Sequence, residues 1–420
     1  MTKDLIKTLI IEYQKFATQV EFIKREITFE ENMNYVLVGL RHAGKSYLMY
    51  QRIAQLIAQG HTPEEFLYFN FEDDRIDSPS TTDLDLIKTC YEEMYPQHRP
   101  IFFLDEIQLV NNWEKFARRL ADQKYRVYIT GSNAQMLSSE IATTLGGRYM
   151  IQEVFPYSFS EYLKANAISL DEPNALFAHN KDIIRLSETY FQHGGLPETT
   201  HIQNPRQWMS NLFSKIFFGD IVARYKVRND FALKLMIRKM AENVKQPLSF
   251  NRIASIVSSA GKKISTDTVI DYIGYMNDSW LILPYENLYG KLQEKESNRK
   301  YYFIDNGLLH LFLIDANTSL LENIVAITLR RKYGEGCYFW NSKTAEVDFI
   351  IPEECMGIQV SYSLTDPDTL KRETDGLVKL AAFQDTQRLI IVTKDEEDVI
   401  NIGEHTIQVI PLWKWLVEVR

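Results

Sequence analysis

Residues 34–155 alternate short, almost uninterrupted apolar runs with longer stretches whose apolar positions recur every three to four residues. The short runs predict buried strands, and the longer stretches predict helices with one packed face. The predicted strands are residues 35–38, 66–71, 100–104, 126–130 and 149–155, and the predicted helices are residues 47–59, 83–94 and 113–122. Continuous apolar strands separated by helices are typical of a parallel sheet covered on both faces, which predicts an α/β domain.

The middle of the chain changes to a different pattern. Residues 248–257 and 266–277 have helical spacing around a turn at 260–263, and two strands follow at 280–288 and 300–304 with a charged tip at 291–299. The core face of the second helix is predicted to carry Val269, Ile270, Ile273 and Met276. Helix, turn, helix and hairpin in this order predict a winged helix.

The last hundred residues return to alternating helices and strands. Helices are predicted at 322–333 and 371–383, and strands at 337–340, 346–351, 357–361 and 388–392. The chain is therefore divided into residues 1–160, a helical linker or lid at 161–245, the winged helix at 246–310 and a C-terminal α/β domain at 311–420.

Composition limits the class of protein. Of 420 residues, 45% are hydrophobic and 25% are charged, as in soluble globular proteins. The apolar runs are too short to cross a bilayer, and the N-terminus lacks the basic and apolar regions of a signal peptide, so no membrane partner is expected. Cys90, Cys337 and Cys355 fit neither a disulfide framework nor a zinc site, so a cytoplasmic location is expected.

Charge is unevenly distributed along the chain. The formal net charge is −9, which argues against nucleic-acid binding over the whole surface. Residues 206–300 nevertheless carry 16 Lys and Arg against 9 Asp and Glu, a net +7, which leaves −16 for the remainder. This basic segment predicts either non-specific nucleic-acid contact or an interface with an acidic neighbouring domain.

A phosphate-binding motif lies between the first predicted strand and helix. Residues 39–46 match G-x-x-x-x-G-K-[ST], in which the glycines let successive backbone N–H groups point at phosphate oxygens. Lys45 is predicted to reach the β and γ phosphates, and Ser46 to hold Mg²⁺. The residues expected to contact ATP or ADP are Gly39, Leu40, Arg41, His42, Ala43, Gly44, Lys45, Ser46 and Tyr47.

Two acidic residues follow the third predicted strand. Asp105 and Glu106 come directly after four large apolar residues, where ligands of parallel sheets bind. Asp105 is predicted to hold Mg²⁺, and Glu106 to orient and deprotonate the attacking water. Mg²⁺ and ATP are therefore the expected cofactors.

Three further polar candidates surround this site. Asn133, or alternatively Ser132, follows the fourth strand and is predicted to sense the γ-phosphate, although both residues also favour helix N-caps. Arg41 faces either the nucleotide or solvent. Arg148 is predicted to act as an arginine finger, from the same or a neighbouring subunit, or else to form a surface salt bridge.

Taken together, these motifs resemble a family of prokaryotic AAA+-type ATPases with a C-terminal domain of unknown function. The resemblance includes residues 39–46, 103–108, 128–133 and 146–149, and continues through residues 155–162, 194–198, 220–225 and 302–308. It implies a P-loop NTPase sheet and a winged helix. Such domains also serve as lids or intersubunit contacts, so oligomerisation is an open expectation.

The second helix of the predicted winged helix is poorly suited to the major groove. Asp267, Asp271 and Asp278 share its non-core face with Gly274, and carboxylates there oppose a phosphate-lined groove. A structural or regulatory lid is therefore the favoured role. Sequence-specific DNA binding and non-specific contact through Arg252, Lys262 and Lys263 remain alternatives.

The C-terminal pattern looks like the PD-(D/E)XK nuclease core without its complete set of ligands. Asp348 matches the first acidic position, and Glu322 is placed to add a carboxylate from the helix. Gln359 and Ser361 stand where the second acid and the lysine are needed, and neither supplies the charge that metal-assisted hydrolysis requires. A nuclease-like fold without nuclease activity is predicted, with a relocated site or an unrelated α/β fold as alternatives.

The expected function is Mg²⁺-dependent ATP binding and hydrolysis that drives a conformational switch of the winged-helix and C-terminal domains. The alternative is a nucleotide-regulated, DNA-associated binding protein with little turnover. The sequence does not indicate a protein client.

Overall fold

The computed structural model describes residues 1–132, 144–171, 174–260, 263–343 and 345–419. The chain divides into two compact units, residues 1–155 with 278–280, and residues 156–277 with 281–420. The boundary predicted at residue 160 lies close to this division, whereas those predicted at 245 and 310 fall inside the second unit. No helix in the described part of the chain is long and apolar enough to cross a membrane.

The first unit contains a five-stranded parallel sheet. Its strands are β1 (Asn34–Val38), β2 (Phe66–Asn70), β3 (Ile101–Asp105), β4 (Val127–Gly131) and β5 (Tyr149–Glu153). Their spatial order is β2-β3-β4-β1-β5, with every neighbouring pair parallel. β1 and β3 therefore lie on either side of β4, and their carboxyl ends reach the same edge of the sheet.

Within the described part of the first unit, four α-helices accompany this sheet. They are α1 (Lys3–Gln19), α2 (Lys45–Ala58), α3 (Thr81–Met94) and α4 (Trp113–Asp122). The sequence prediction did not include α1, although Ile6, Leu9 and Ile10 are fully buried at helical spacing. α1 packs against β2 and α3. It therefore covers the edge strand of the sheet.

The second unit begins with helices. They are α5 (Phe159–Ala165), α6 (Ala175–Ala178), α7 (Asn180–His193), α8 (Pro205–Lys215), a π-helix (Ile216–Ala223) and α9 (Asp230–Glu242). The later helices are α10 (Phe250–Ser259), α11 (Thr266–Asp278), α12 (Leu292–Ser297), α13 (Asn306–His310), α14 (Asn317–Tyr333), α15 (Pro367–Phe383) and α16 (Leu412–Glu418). Short 3₁₀ turns lie at Pro63–Glu65 and Ile107–Leu109 in the first unit, and at Pro197–Thr200, Gly334–Gly336 and Pro352–Glu354 in the second.

A nine-stranded mixed sheet forms the rest of this unit. Its strands are β6 (Leu248–Ser249), β7 (Ile282–Asn287), β8 (Asn298–Phe303), β9 (Tyr338–Asn341), β10 (Glu346–Ile351), β11 (Met356–Val360), β12 (Arg388–Thr393), β13 (Asp398–Ile402) and β14 (His405–Pro411). The order is β13-β14-β12-β11-β10-β9-β7-β8-β6. Because β7 pairs in parallel with β9, the predicted hairpin and the C-terminal strands share one sheet, which the boundary predicted at 310 divides.

The region predicted as a winged helix contains α10, α11 and the antiparallel pair β7 and β8. Two details differ from the prediction. The charged tip contains the short helix α12, and the buried face of α11 consists of Val269, Tyr272 and Met276. Ile270 was wrongly placed on that face, because its side chain is 44% exposed. The buried face of α11 is therefore turned about the helix axis from the predicted one. This places the larger aromatic side chain of Tyr272 in the core.

Candidate active site

The residues after β1 form a curled loop that requires glycine at both ends. Gly39 has φ +153° and Gly44 has φ +93°, which L side chains rarely adopt. A Cβ atom on Gly39 would lie 2.2 Å from the carbonyl oxygen of Val154, which follows β5. The loop therefore approaches the neighbouring backbone so closely that a side chain at position 39 would displace it.

Lys45 is the first residue of α2 and is only 5% exposed. Its Nζ donates hydrogen bonds to the carbonyl oxygens of Gly39 at 3.1 Å and Leu40 at 2.9 Å. The ammonium group thus lies inside the curl of the loop, beside the N-terminus of α2. Both features favour anions at this position.

Asp105 ends β3 and is 2% exposed. It accepts hydrogen bonds from the hydroxyl groups of Tyr68 and Thr130. Burial, followed by the charge of Glu106, raises the pKa of the Asp105 carboxyl, whereas hydrogen bonds from Thr130, Tyr68 and Ser46 act in the opposite direction. A cation bound here would offset the cost of burying the carboxylate.

The surroundings of Asp105 fit a magnesium ion. Ser46 interacts with the Asp105 carboxylate through its hydroxyl, so the two predicted ligands supply neighbouring oxygen atoms. Mg²⁺ takes one or two protein oxygens together with phosphate and water oxygens. Ser46 and Asp105 are the residues that would hold it, and the ion would neutralise phosphate charge.

Glu106 follows Asp105 in a left-handed backbone conformation, with φ 54° and ψ 40°. Its backbone N–H donates to the Thr130 hydroxyl oxygen at 2.9 Å. One oxygen of its carboxylate accepts a hydrogen bond from the Gln108 side-chain amide. The same Thr130 hydroxyl therefore binds both acidic residues, the carboxylate of Asp105 and the backbone of Glu106.

The other predicted site residues differ in their surroundings. Arg41 pairs with Glu72 at 2.9 Å, after β2, and Arg148 pairs with Asp122 at 2.6 Å, at the end of α4. Arg148 thus forms the salt bridge considered as its alternative role. Ser132 is 2% exposed, and its hydroxyl lies 3.4 Å from the Gln108 amide nitrogen. The predicted sensor Asn133 lies outside the described residues.

Arg25 was not identified from the sequence, although it is 5% exposed and contacts the phosphate-binding loop. Its guanidinium donates to the carbonyl oxygens of Ala43 at 2.9 Å and Phe155 at 2.7 Å. Its backbone N–H donates to the Gln51 side chain at 2.7 Å. A buried arginine therefore joins the loop to the segment after β5. An arginine in the connection before β1 gave no signal in sequence.

Tyr68, Thr130 and Gln108 were also missed as site residues. Tyr68 and Thr130 lie in apolar strands, where hydroxyl-bearing residues are usual, and their partners are 37 and 25 residues away. Only the register of β2, β3 and β4 brings these hydroxyls to Asp105. Gln108 could have been identified from the sequence by its position, because it is a polar residue two positions after the acidic pair.

Glu322 and Asp348, the two acidic residues matched to the nuclease pattern, both contact one lysine in the second unit. Lys300 on β8 is fully buried, and its Nζ lies 3.0 Å from the carboxylates of both Glu322 and Asp348. Burial alone would lower the pKa of Lys300, but the charges of Glu322 and Asp348 outweigh it and raise that pKa. Burial and the Asp348 charge raise the pKa of Glu322 to about 7. These carboxylates thus already have a cation.

Gln359 and Ser361, next to this cluster, form hydrogen bonds with backbone groups of the protein. The Gln359 amide accepts from the backbone N–H of Asp348 at 2.8 Å and donates to the Glu346 carbonyl at 3.0 Å. The Ser361 hydroxyl donates to the Ser363 carbonyl at 2.9 Å. Among the described residues, no group of three or more His, Cys, Asp or Glu side chains is arranged to hold a metal ion.

Two segments with no chemistry assigned from sequence meet at a buried carboxylate. Asp305 accepts hydrogen bonds from the backbone N–H groups of Gly195 and Gly307, each at 2.8 Å. A Cβ atom on Gly194 would lie 2.0 Å from the Asp305 carboxylate, so glycine is needed there. Burial raises the pKa of Asp305 to about 6 despite these hydrogen bonds. Residues 194–198 and 302–308 therefore meet at this carboxylate.

Two sequence families match parts of this chain. A family described as an AAA domain matches residues 31–163, and a domain of unknown function (DUF8612) matches residues 184–319. An uncharacterized protein of Methanocaldococcus jannaschii is 30% identical, covering 98% of this chain and 95% of that protein. An uncharacterized protein of Haemophilus influenzae is also 30% identical, covering 91% and 94% respectively.

Solved structures resemble the chain only distantly. The Walker-type ATPase of Pyrococcus abyssi has a TM-score of 0.43 at 12% identity, covering 71% of this chain and 99% of that one. The ORC1 protein of Aeropyrum pernix, solved in complex with DNA, has a TM-score of 0.28 at 13% identity, covering 77% and 93%. Likenesses of this size support no functional inference.

Proposed function

Because this chain belongs to the same family as the M. jannaschii and H. influenzae proteins and carries an AAA-type P-loop ATPase domain, we propose that it binds ATP with Mg²⁺ and hydrolyses it. The observation that carries the proposal is the network around Asp105. Thr130 donates a hydrogen bond to its carboxylate and accepts one from the Glu106 backbone N–H. The Ser46 hydroxyl lies near enough to lower the pKa of Asp105. The binding loop, the metal-binding carboxylate and the general base are thereby linked.

Each residue has a defined part in the proposed reaction. Lys45 exchanges its hydrogen bonds with loop carbonyls for phosphate oxygens and neutralises charge on the β and γ phosphates. Ser46 and Asp105 would hold Mg²⁺, which would neutralise phosphate charge. Glu106 orients the attacking water and accepts its proton. Asn133 is proposed as the γ-phosphate sensor, and Arg148 as an arginine finger from the same or a neighbouring subunit.

The test measures ATP turnover with Mg²⁺ for the intact chain and for Glu106→Gln. We expect the variant to bind ATP with unchanged affinity and to lose about 100-fold or more of its turnover, which is typical of a missing general base. Chelation of Mg²⁺ should abolish turnover in the wild type. Undiminished turnover in Glu106→Gln would rule out Glu106 as the base.

We further propose that nucleotide state changes how the winged-helix and C-terminal regions act, without cleavage of nucleic acid. The pairing of Lys300 with Glu322 and Asp348 supports an inactive nuclease-like domain, because its ammonium group takes up the charge a metal would need. The assay is cleavage of DNA and RNA with Mg²⁺ or Mn²⁺. Metal-dependent cleavage that Asp348→Ala abolishes would contradict the proposal.

A nucleic-acid-binding role is the second candidate because residues 206–300 carry a net charge of +7. Arg252 and Lys263 are exposed in this segment, but Asp267 and Asp271 are exposed on α11 as well. Non-specific contact is therefore favoured over base recognition. Duplex and single-stranded binding would be measured against salt concentration with ATP and with ADP. Absence of salt-sensitive binding in either state would eliminate this role.

A further inference from the structure

The side chain of Gln108 contacts the proposed general base. It lies in the 3₁₀ turn Ile107–Leu109, directly after Glu106. Its Nε2 donates to the Glu106 carboxylate and lies 3.4 Å from the Ser132 hydroxyl. The opposite amide orientation would place the Gln108 carbonyl oxygen against the Glu106 carboxylate. Since two acceptor oxygens repel each other, the amide nitrogen is assigned to the side that faces Glu106.

The backbone around Gln108 is well constrained. Ile107 is fully buried, and the backbone N–H groups of Leu109 and Val110 donate to the carbonyls of Glu106 and Ile107 at 3.2 and 2.9 Å. The Glu106 backbone is held by Thr130 at 2.9 Å. These hydrogen bonds fix the backbone before and after Gln108. They do not fix the rotamer of the Glu106 side chain.

Gln108 supplies that side-chain restraint. Across the described part of the chain, its amide is the hydrogen-bond donor to the Glu106 carboxylate, and it bonds one of the two oxygens. No described residue donates to the other oxygen, which leaves it for a water proton. The Oε1 atom of Gln108 is buried and has no hydrogen-bond partner among the described residues. An acceptor beside the base suits a donor such as water.

We propose that Gln108 is a positioning residue for Glu106 in ATP hydrolysis, an inference that rests on the proposed function. Its amide N–H holds the carboxylate in the rotamer that meets the attacking water, and the link to Ser132 anchors the amide to the end of β4. Correct alignment of a general base contributes strongly to rate, whereas it adds little to ATP affinity.

The experiment compares Gln108→Leu and Gln108→Glu with the wild type, Glu106→Gln and the control Gln123→Leu, which alters an exposed glutamine after α4. We expect Gln108→Leu to lower kcat about 10-fold or more while Kd for ATP and Tm stay near wild-type values. Gln108→Glu keeps the side-chain length and should also lower kcat, because an ionised carboxylate cannot donate to the Glu106 carboxylate.

The measured rates distinguish the role of Gln108 from the proposed ATP hydrolysis with Glu106 as the base. A wild-type kcat that Glu106→Gln lowers and Gln108→Leu leaves unchanged would overturn the role of Gln108 alone. A higher kcat in Gln108→Leu would show that the contact restrains the base instead of aligning it, and would also overturn the proposal. If the wild type shows no ATP turnover, or if Glu106→Gln leaves turnover unchanged, both the role of Gln108 and the proposed role of Glu106 would be overturned.

Discussion

Substitution of Lys300 by methionine provides a direct test of the buried charge cluster in the second unit. The change keeps most of the side-chain volume and removes an ammonium group that is fully buried and lies 3.0 Å from both Glu322 and Asp348. The two carboxylates then face each other without a cation. Removal of one partner from a buried ion pair costs about 3–5 kcal/mol, because the remaining charge keeps its desolvation penalty.

The loss should depend on pH. Glu322 already has its pKa raised to about 7, so without Lys300 the Glu322 carboxyl takes up a proton more readily. Protonation removes the unpaired charge, and the destabilisation should therefore be larger at pH 8 than at pH 5. At neutral pH, about 3–5 kcal/mol corresponds to a fall in Tm of about 6–20 °C for a domain of a few hundred residues.

Thermal and urea unfolding of the full chain would measure this change, with Lys371→Met as the control for an exposed lysine on α15. The double variant Lys300→Met with Glu322→Gln should lose less stability than the sum of the single variants, because it removes charge from both sides of the pair. A Lys300→Met variant within about 1 kcal/mol of the wild type at pH 8 would refute the reasoning, since the expected loss exceeds that value.

Three further predictions concern residues that the tertiary structure brought into view. Arg25→Met should weaken ATP binding in a titration and lower stability, by about 1–3 kcal/mol for each carbonyl that loses its donor, including that of Ala43; unchanged affinity would contradict a role in shaping the loop. Thr130→Val should lower Mg²⁺-dependent kcat about 10- to 100-fold, because a hydrogen bond to a charged group such as Asp105 contributes about 1.5–3 kcal/mol; a wild-type rate would count against it. The pKa of Asp305 is raised from 3.8 to about 6 in the fold, so its contribution to stability is fully present below pH 4 and is lost as pH rises through 6. Asp305→Asn should lack this component when urea midpoints are compared from pH 4 to 8, and equal pH dependence in the two proteins would contradict it.

Much of the fold of the first unit follows from local sequence. Apolar runs bounded by helices indicated strands β1 to β4, because a strand buried on both faces needs apolar residues at successive positions. The edge strand β5 was indicated as well, although Met150 and Ile151 are exposed on it. The glycine-bounded loop and the acidic pair after the third strand were likewise readable, since their chemistry resides in contiguous residues. The helix α1 was overlooked although its apolar spacing is regular, and Ile270 was placed on a face that Tyr272 occupies.

The amino-acid sequence by itself therefore indicated the strands and the connecting helices α2 to α4 of the first unit, together with the glycine-bounded loop and the acidic pair. Tertiary structure alone decided which distant groups meet: Arg25 with the carbonyl 18 residues away, Asp305 with the N–H 110 residues away, and Lys300 with carboxylates 22 and 48 residues away. The physical reason is that local patterns report backbone conformation and burial. The partners of a buried polar group depend instead on strand register and on helix packing across the whole unit.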